Sequence, residues 1–275
     1  MPTIPSLAEM LQAGVHFGHQ SSRWHPKMEP YIFTERGGIH VINLEKTQEK
    51  LEKAVDFLRG VAARGGVILF VGTKRQASEI VKREAEACGM PYVNNRWLGG
   101  TLTNFFEIRK LIRRYKTLKD QQVKGELRKY TKKEQLWFGR EIEELDRKVG
   151  GIQTVERMPD VVFIVDMKAE KTALDEARVI GTQIAALCDT NVNPDDVQWP
   201  IPANDDAVKG IDMMLRVISE AVQEGRKEWD RGAAERAAVK AKADAAAPAT
   251  VVKVVMPAAA LAPAAPAPSA SENAA

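Results

Sequence analysis

Two uninterrupted apolar runs, Val67-Ile68-Leu69-Phe70-Val71 and Val161-Val162-Phe163-Ile164-Val165, constrain this chain more than any other feature. Neither alternates with polar residues, so neither has a face to give to water. Each reads as a strand buried on both sides, the mark of a parallel sheet covered by helices. The surrounding pattern alternates accordingly. Leu51, Val55 and Leu58 at helical spacing predict a helix over 45–63, and Lys74 to Cys88 reads as a helix stopped by Gly89. Tyr92-Val93 is a short strand. After Pro159 follow the second apolar strand, a helix over 171–180, a strand over 183–187, a short strand over 197–201 and an amphipathic helix from Asp205 to about Glu228, with its helical start of a tail extending to about Asp244. Strand and helix in alternation mean βαβ units. The fold class is α/β: a parallel sheet flanked by helices.

The ends and the middle depart from that alternation. Ser6-Leu7-Ala8-Glu9 is a capping box opening a short helix to about Gln12, ended by Gly14. Residues 15–38 have no clean period and read as ordered loop with a short hairpin around Tyr31–Phe33. Ile39 to Leu44 reads as the first strand of the regular pattern. Between the two α/β blocks, residues 105–149 are helical only. Ile108, Leu111, Ile112, Tyr115 and Leu118 share one face, and Phe138, Ile142, Leu145 and Val149 another, so two helices joined near Val123–Gly125 form an antiparallel hairpin. Its narrow seam suffices for a partner helix but not for a core. The expected organisation is an α/β domain with an N-terminal arm over 1–104, a protruding basic helical hairpin over 105–150, the second part of the α/β domain over 151–231, and an Ala/Pro-rich tail over 232–275. Beyond Pro248 that tail buries too little to offset its entropy and is expected to be disordered.

Charge points to function through its distribution. The whole chain carries only +3, yet Phe106 to Lys133 holds 11 Lys and Arg against three acids, a net +8 that leaves −5 for everything else. A basic hairpin on a mildly acidic body is what a phosphate-binding arm requires, since each cation that neutralises a phosphate releases counterion. Two cysteines, Cys88 and Cys188, are too few for a disulfide framework or a four-cysteine metal site and suit a reducing compartment. The N-terminus lacks the basic and apolar regions of a signal peptide, and no run has the length of a membrane span.

Three clusters carry possible chemistry. Gly72-Thr73-Lys74 follows a strand and opens a helix, where phosphate is attracted, but it is neither a Walker-type loop nor a GxGxxG fingerprint. An RNA phosphate at Lys74 and a plain βα turn both stand as readings. The loop Asn94 to Asn104, containing Arg96-Trp97-Leu98-Gly99-Gly100, reads equally as a platform for unpaired bases and as a hinge in which Trp97 and Leu98 plug the core. His16-Phe17-Gly18-His19 precedes Arg23-Trp24-His25-Pro26-Lys27. His16 and His19, with Asp189, Asp205 or Asp206 from strand ends, have the donor types of a metal site, though packed histidines are the simpler reading. No nucleophile–base pair is evident. A nucleotide-binding enzyme and a protein-docking scaffold free of RNA remain the competing classes.

These segments together resemble one family. His16-Phe17-Gly18-His19, Trp24-His25-Pro26-Lys27-Met28, Tyr31-Ile32-Phe33, Phe70-Val71-Gly72-Thr73-Lys74, Asn95 to Phe105, Met158-Pro159-Asp160, Asp189-Thr190-Asn191 and Ile201 to Ala207 occur in the order of the bacterial small-subunit ribosomal protein family conventionally numbered two. Coverage runs from about Ser6 to Asp230, and Arg96-Trp97-Leu98-Gly99-Gly100 is its specific run; the tail lies outside it. The resemblance implies a flavodoxin-like α/β domain with an inserted antiparallel coiled-coil hairpin. It implies a cytoplasmic, non-enzymatic constituent of the small subunit that contacts ribosomal RNA between head and body. It also implies a part in docking that subunit's large mRNA-binding protein. His25 stands where many members have Asn. The expected RNA-binding residues are Trp24, His25, Lys27, Lys74, Arg96, Trp97, Asn104, Arg109, Lys110, Arg113, Arg114 and Lys116. No catalytic residue, metal ligand, cofactor, membrane or small-molecule substrate is expected.

Overall fold

A computed structural model describes the backbone of residues 3–246 and the side chains of residues 3–233. The chain divides into two units, Met1–Ala234 and Glu235–Ala275. Of the second, only the backbone of 235–246 is described, and it is helical. The expected disorder of the tail beyond Pro248 lies outside the described residues.

Helix α1, Leu7–Gln12, starts at the capping box: the Glu9 amide donates to Ser6 Oγ, and the Ser6 amide donates to the Glu9 carboxylate. Strands β1 (Phe17–Gln20), β2 (Ile32–Arg36) and β3 (Ile39–Ile42) form a small antiparallel sheet in the order β1-β3-β2. This corrects two expectations. Residues 15–38 are not loop with a hairpin around 31–33; the hairpin turns at Gly37-Gly38, both at positive φ as a two-residue turn demands. Ile39–Ile42 is a strand, but of this sheet and not of the parallel one. β2 is exposed from Phe33 onward, so its sequence shows no alternation to detect.

Helix α2 (Leu44–Ala63), β4 (Ile68–Val71), α3 (Ser78–Cys88) and β5 (Tyr92–Val93) follow, then helices α4 (Phe105–Val123) and α5 (Lys132–Val149). β6 (Val161–Ile164), α6 (Lys171–Ile180), β7 (Gln183–Cys188), β8 (Trp199–Pro202) and α7 (Val208–Ala246) complete the chain. The five parallel strands lie in the order β5-β4-β6-β7-β8. In order of appearance that is second, first, third, fourth, fifth, the flavodoxin-like arrangement. Pro200 and Pro202 confine β8 to the edge, where a missing N–H is tolerated.

Alternate residues of the sheet serve two cores. Ile68, Phe70, Val161, Phe163, Leu187 and Ile201 face one packed with α2, α3 and α7. Leu69, Val71, Val162, Ile164 and Ile184 face the other, which includes α6 and continues into the seam between α4 and α5. The apolar runs lack alternation because both faces are buried. α4 and α5 pack chiefly on each other, through Ile108, Ile112, Tyr115 and Leu118 against Ile142, Leu145 and Val149.

One element starts later than expected. Lys74 to Ala77 form a turn, with the Ser78 amide donating to the Lys74 carbonyl, and α3 begins at Ser78. Lys74 is therefore not at a helix N-terminus.

A close backbone approach lies between α7 and α2, where a Cβ on Gly225 would run into the Arg59 carbonyl oxygen and the Ala62 side chain. Gly225→Ala should destabilise the protein by about 1–3 kcal/mol, the range for overpacking a core. Chemical denaturation followed by circular dichroism checks this, and an unshifted midpoint contradicts the close approach.

Candidate nucleic-acid interface

Helices α4 and α5 carry a concentration of exposed cations. On α4, Arg109, Arg113 and Lys116 recur at steps of four and three, so they form one stripe. All three are exposed and, among the described residues, none forms an ion pair. Lys110 pairs with Glu107 at 2.8 Å and lies over the Phe106 ring. Arg114 makes a two-pronged contact with Glu141 of α5, at 3.1 and 3.3 Å. Every ion pair of a hairpin Lys or Arg among the described residues stays within the hairpin; none reaches a carboxylate of the α/β body. The two helices differ in charge. α4 has six Lys and Arg against two acids, whereas α5 has five against five. The excess therefore belongs to α4 and the 124–131 connection.

The loop entering α4 is built around a residue that no motif marked. Glu176, buried on α6, accepts from the amides of Gly100, Leu102 and Thr103 at 2.7, 2.9 and 3.1 Å, from Thr103 Oγ1 and from the Trp97 indole. Burial works against its charge, but the N–H groups of Leu102, Thr103 and Gly100 and the Trp97 indole outweigh it and hold its pKa below the ordinary carboxylate range. Trp97 is only 8% exposed, with its N–H given to Glu176 at 3.1 Å. Of the two readings of this loop, Trp97 takes the structural one. Arg96 and Asn104 remain exposed, and Arg96 forms no ion pair among the described residues. The available clue to Glu176 was a carboxylate on the same helix face as Ala173 and Ala177.

The arm is held by its own contacts. His25 accepts from the Lys27 amide through Nδ1, and its own amide donates to the Thr190 carbonyl. Trp24 is half-buried against His40, with ring centroids 5.2 Å apart. Lys27 is exposed and pairs with Asp195 at 2.5 Å. His25 also lines a groove with Lys168, Lys171 and Asn191.

Lys74 belongs elsewhere. At the carboxyl ends of β4, β6, β7 and β8, its ammonium lies 3.2 Å from Asp166, 3.0 Å from Asp205 and 2.6 Å from Asp206. Burial opposes its charge, but Asp206, Asp205 and Asp166 win and raise its pKa. A phosphate here would meet these carboxylates, so Lys74 does not join the exposed cations. His19 completes the cluster, with Nδ1 3.0 Å from Asp189 and Nε2 facing Asp206. The hydrogen bond with Asp189 raises the His19 pKa against burial, and Asp189, Asp205 and Asp206 add to the rise. Burial, with Asp166 and Asp189 nearby, pushes Asp205 up to about 7 despite Lys74. His19, Asp205 and Asp206 bring ligand-type atoms within 4.8 Å of one another, but the last two already hold Lys74. His16 is apart from this group, its ring 4.0 Å from that of Phe17.

The ribosomal protein S2 family profile matches residues 10–225. The chain belongs to that family. It is similar to the small ribosomal subunit protein uS2 of Coprothermobacter proteolyticus, 49% identical over 82% of this chain and 84% of that one. It is similar to uS2 of Fusobacterium nucleatum, 48% identical over 82% and 92%. The uS2c protein of Rhodomonas salina is 50% identical over 81% and 91%. The family is one of ribosomal proteins and not of enzymes. Among the described residues, no helix is long and apolar enough to cross a membrane.

Two outcomes follow from these contacts. Glu176→Ala strands several buried donors, each worth about 1–3 kcal/mol unsatisfied, and should lower stability by at least ~2 kcal/mol, while Arg96→Ala stays within ~0.5 kcal/mol. Equal, small shifts in a denaturation series would contradict the hub. The strand-end cluster sets a pH dependence. Asp205 and His19 both have folded pKa values above their unfolded ones, 3.8 and 6.5, so both favour the folded state at low pH. The Asp205 part fades as pH rises from about 4 to about 7, and the His19 part as pH rises above 6.5. Asp205→Asn should flatten the stability profile between pH 5 and pH 7, read by urea midpoints; an undiminished slope assigns it to other groups.

Proposed function

We propose that this ribosomal protein is a structural constituent of the small subunit, and that its hairpin is a protruding coiled-coil arm anchoring ribosomal RNA along the Arg109–Arg113–Lys116 stripe. Its relatives are named small ribosomal subunit proteins. The observation that carries the RNA reading is a set of exposed cations with no ion pair to the body's carboxylates among the described residues. A cation already paired inside the protein gains little from a phosphate. An unpaired one displaces condensed counterion from RNA and gains that entropy in full. Lys110 and Arg114, paired within the hairpin, flank the stripe and can exchange a surface partner for a phosphate at little cost.

Arg96 and Asn104 at the hairpin's root continue this surface. Trp24, His25 and Lys27 form a second contact, with Lys168 and Lys171 beside His25. The seat between head and body, the cytoplasmic setting and the docking of the large mRNA-binding protein belong to the same proposal, on the strength of the family resemblance.

Arg109, Arg113 and Lys116 changed together to Glu should abolish incorporation into small subunits, measured by co-sedimentation, with the circular dichroism spectrum unchanged. Incorporation at the wild-type level would defeat the proposal. For the wild type, log affinity for small-subunit RNA should fall against log salt by roughly 0.7–0.9 per phosphate contacted, and the triple variant should have a shallower slope.

A further inference from the structure

The end of the hairpin at the 124–131 connection carries two aromatic rings, Tyr130 and Trp137, that lie outside the α4–α5 core. Tyr130, Phe138 and Trp137 form a chain of three, with Tyr130 and Phe138 centroids 5.1 Å apart and Trp137 meeting Phe138 edge-on at 5.2 Å. Phe138 is half-buried and roots the chain in the hairpin core. Lys129 covers the Tyr130 ring. Trp137 is the outer member. It is 58% exposed, and no cation covers its ring among the described residues.

The charge around that indole is one-sided. Lys133 lies one turn before it and Arg140 one turn after, on the same helix face. Both are exposed, and neither forms an ion pair among the described residues. The two acids that share this face are engaged elsewhere. Glu134 turns back to accept from the Thr131 amide and hydroxyl at 2.9 Å each, and Glu141 holds Arg114. The indole therefore sits between two available cations, with its neighbouring carboxylates turned away.

We propose that Trp137 is a stacking platform for one unpaired nucleobase of the bound RNA, with Lys133 and Arg140 taking the phosphates on either side. The inference rests on the hairpin being the RNA-binding arm and adds a mode of contact to it. An apolar partner surface would bury the indole but leave the cations on its rim without counter-charge. A nucleotide supplies both a π-face and flanking phosphates. The two cations are seven residues apart, about 10 Å along the helix axis. Their long side chains bring the charged groups within reach of phosphates on either side of a single base. The edge contact with Phe138 limits the motion of the indole, so little order has to be imposed on binding.

The test measures affinity of the full-length protein for small-subunit RNA with Trp137→Ala, Trp137→Leu and Trp137→Phe, beside the Arg109/Arg113/Lys116→Glu variant. Trp137→Ala should weaken binding roughly 5- to 150-fold without changing the salt slope, because stacking and not a phosphate contact is lost. Trp137→Phe should retain most of the affinity. Trp137→Leu should behave like Ala, since it restores apolar area without a π-face. RNA should also quench wild-type tryptophan fluorescence more than that of Trp137→Phe. Wild-type affinity for Trp137→Ala or for Trp137→Leu overturns the platform. So does a defect of Trp137→Ala that appears only in assembled particles and not on naked RNA, which would make the indole a protein contact. If Trp137 variants bind normally while the triple variant fails, the platform alone falls; if the triple variant also binds normally, the arm itself falls.

Discussion

The ammonium of Lys74, fixed among Asp166, Asp205 and Asp206, decides what this α/β sheet is able to do. In doubly wound sheets, ligands enter the crevice at the carboxyl ends of the strands where the strand order reverses. Here that place lies between β4 and β6, and the protein's own groups occupy it. The Thr73 amide donates to Glu170, Lys74 bridges to Asp166, and the last two aspartates close over the same ammonium. An incoming phosphate would face carboxylates, and the N–H group it would need is taken. The same contacts hold the N-terminal arm down, because His19 reaches Asp189 and Gly18 lies against Thr190, where a Cβ would collide. Closing the crevice and fastening the arm are one act of packing. It leaves binding to surfaces outside the sheet.

Those surfaces need a fixed root, and Glu176 supplies it. One carboxylate buried under the 97–103 loop collects three amides, a hydroxyl and an indole. A buried carboxylate is tolerable only when its lone pairs are this fully used. The consequence is mechanical. The chain enters α4 from a loop tied to α6, so the direction of the hairpin is set by the body's core and not by a flexible tether. Asn95, donating to the Arg147 carbonyl of α5, ties the returning helix to the same loop.

The division between what the sequence revealed and what it hid follows from these contacts. The parallel strands were legible because residues such as Val162 and Phe163 are buried on opposite faces, which abolishes alternation. The hairpin helices were legible because Ile108, Ile112, Tyr115 and Leu118 repeat at helical spacing. The small antiparallel sheet was not, since its β2 face is exposed and polar and carries no period. Trp97 and Lys74 have surroundings that the sequence could not show, for a shared reason. Each is a side chain typical of RNA contact, and each is claimed by an acid distant in sequence, Glu176 for one and Asp205 with Asp206 for the other. Pairings across more than 70 residues have no local signature. The stripe on α4 differs in that Arg109, Arg113 and Lys116 form no ion pair among the described residues, so their spacing alone describes their situation.

The uneven charge of the hairpin explains how so many cations tolerate one another. Six on α4 would repel along a single helix, and like charges at i, i+4 destabilise it. α5 offsets that repulsion with Glu141, which grips Arg114, and Asp146, which binds the Tyr115 hydroxyl beside Lys119. Its own balance of five and five adds no net charge. The acids are thus spent on the side of α4 that turns toward α5, and Arg109, Arg113 and Lys116 keep theirs for solvent. α4 is about 28 Å long, more than three Debye lengths at physiological salt. The stripe begins only about 6 Å from the first residue of α4 and ends about 17 Å along it, so acids of the body near the root are screened from Lys116 more than from Arg109, and the net −5 elsewhere in the chain offsets the field of the stripe unevenly. A chain of only +3 overall, with a mildly acidic body, can in this way present a strongly basic edge, and such an edge is oriented in a way that uniform positive charge would not be.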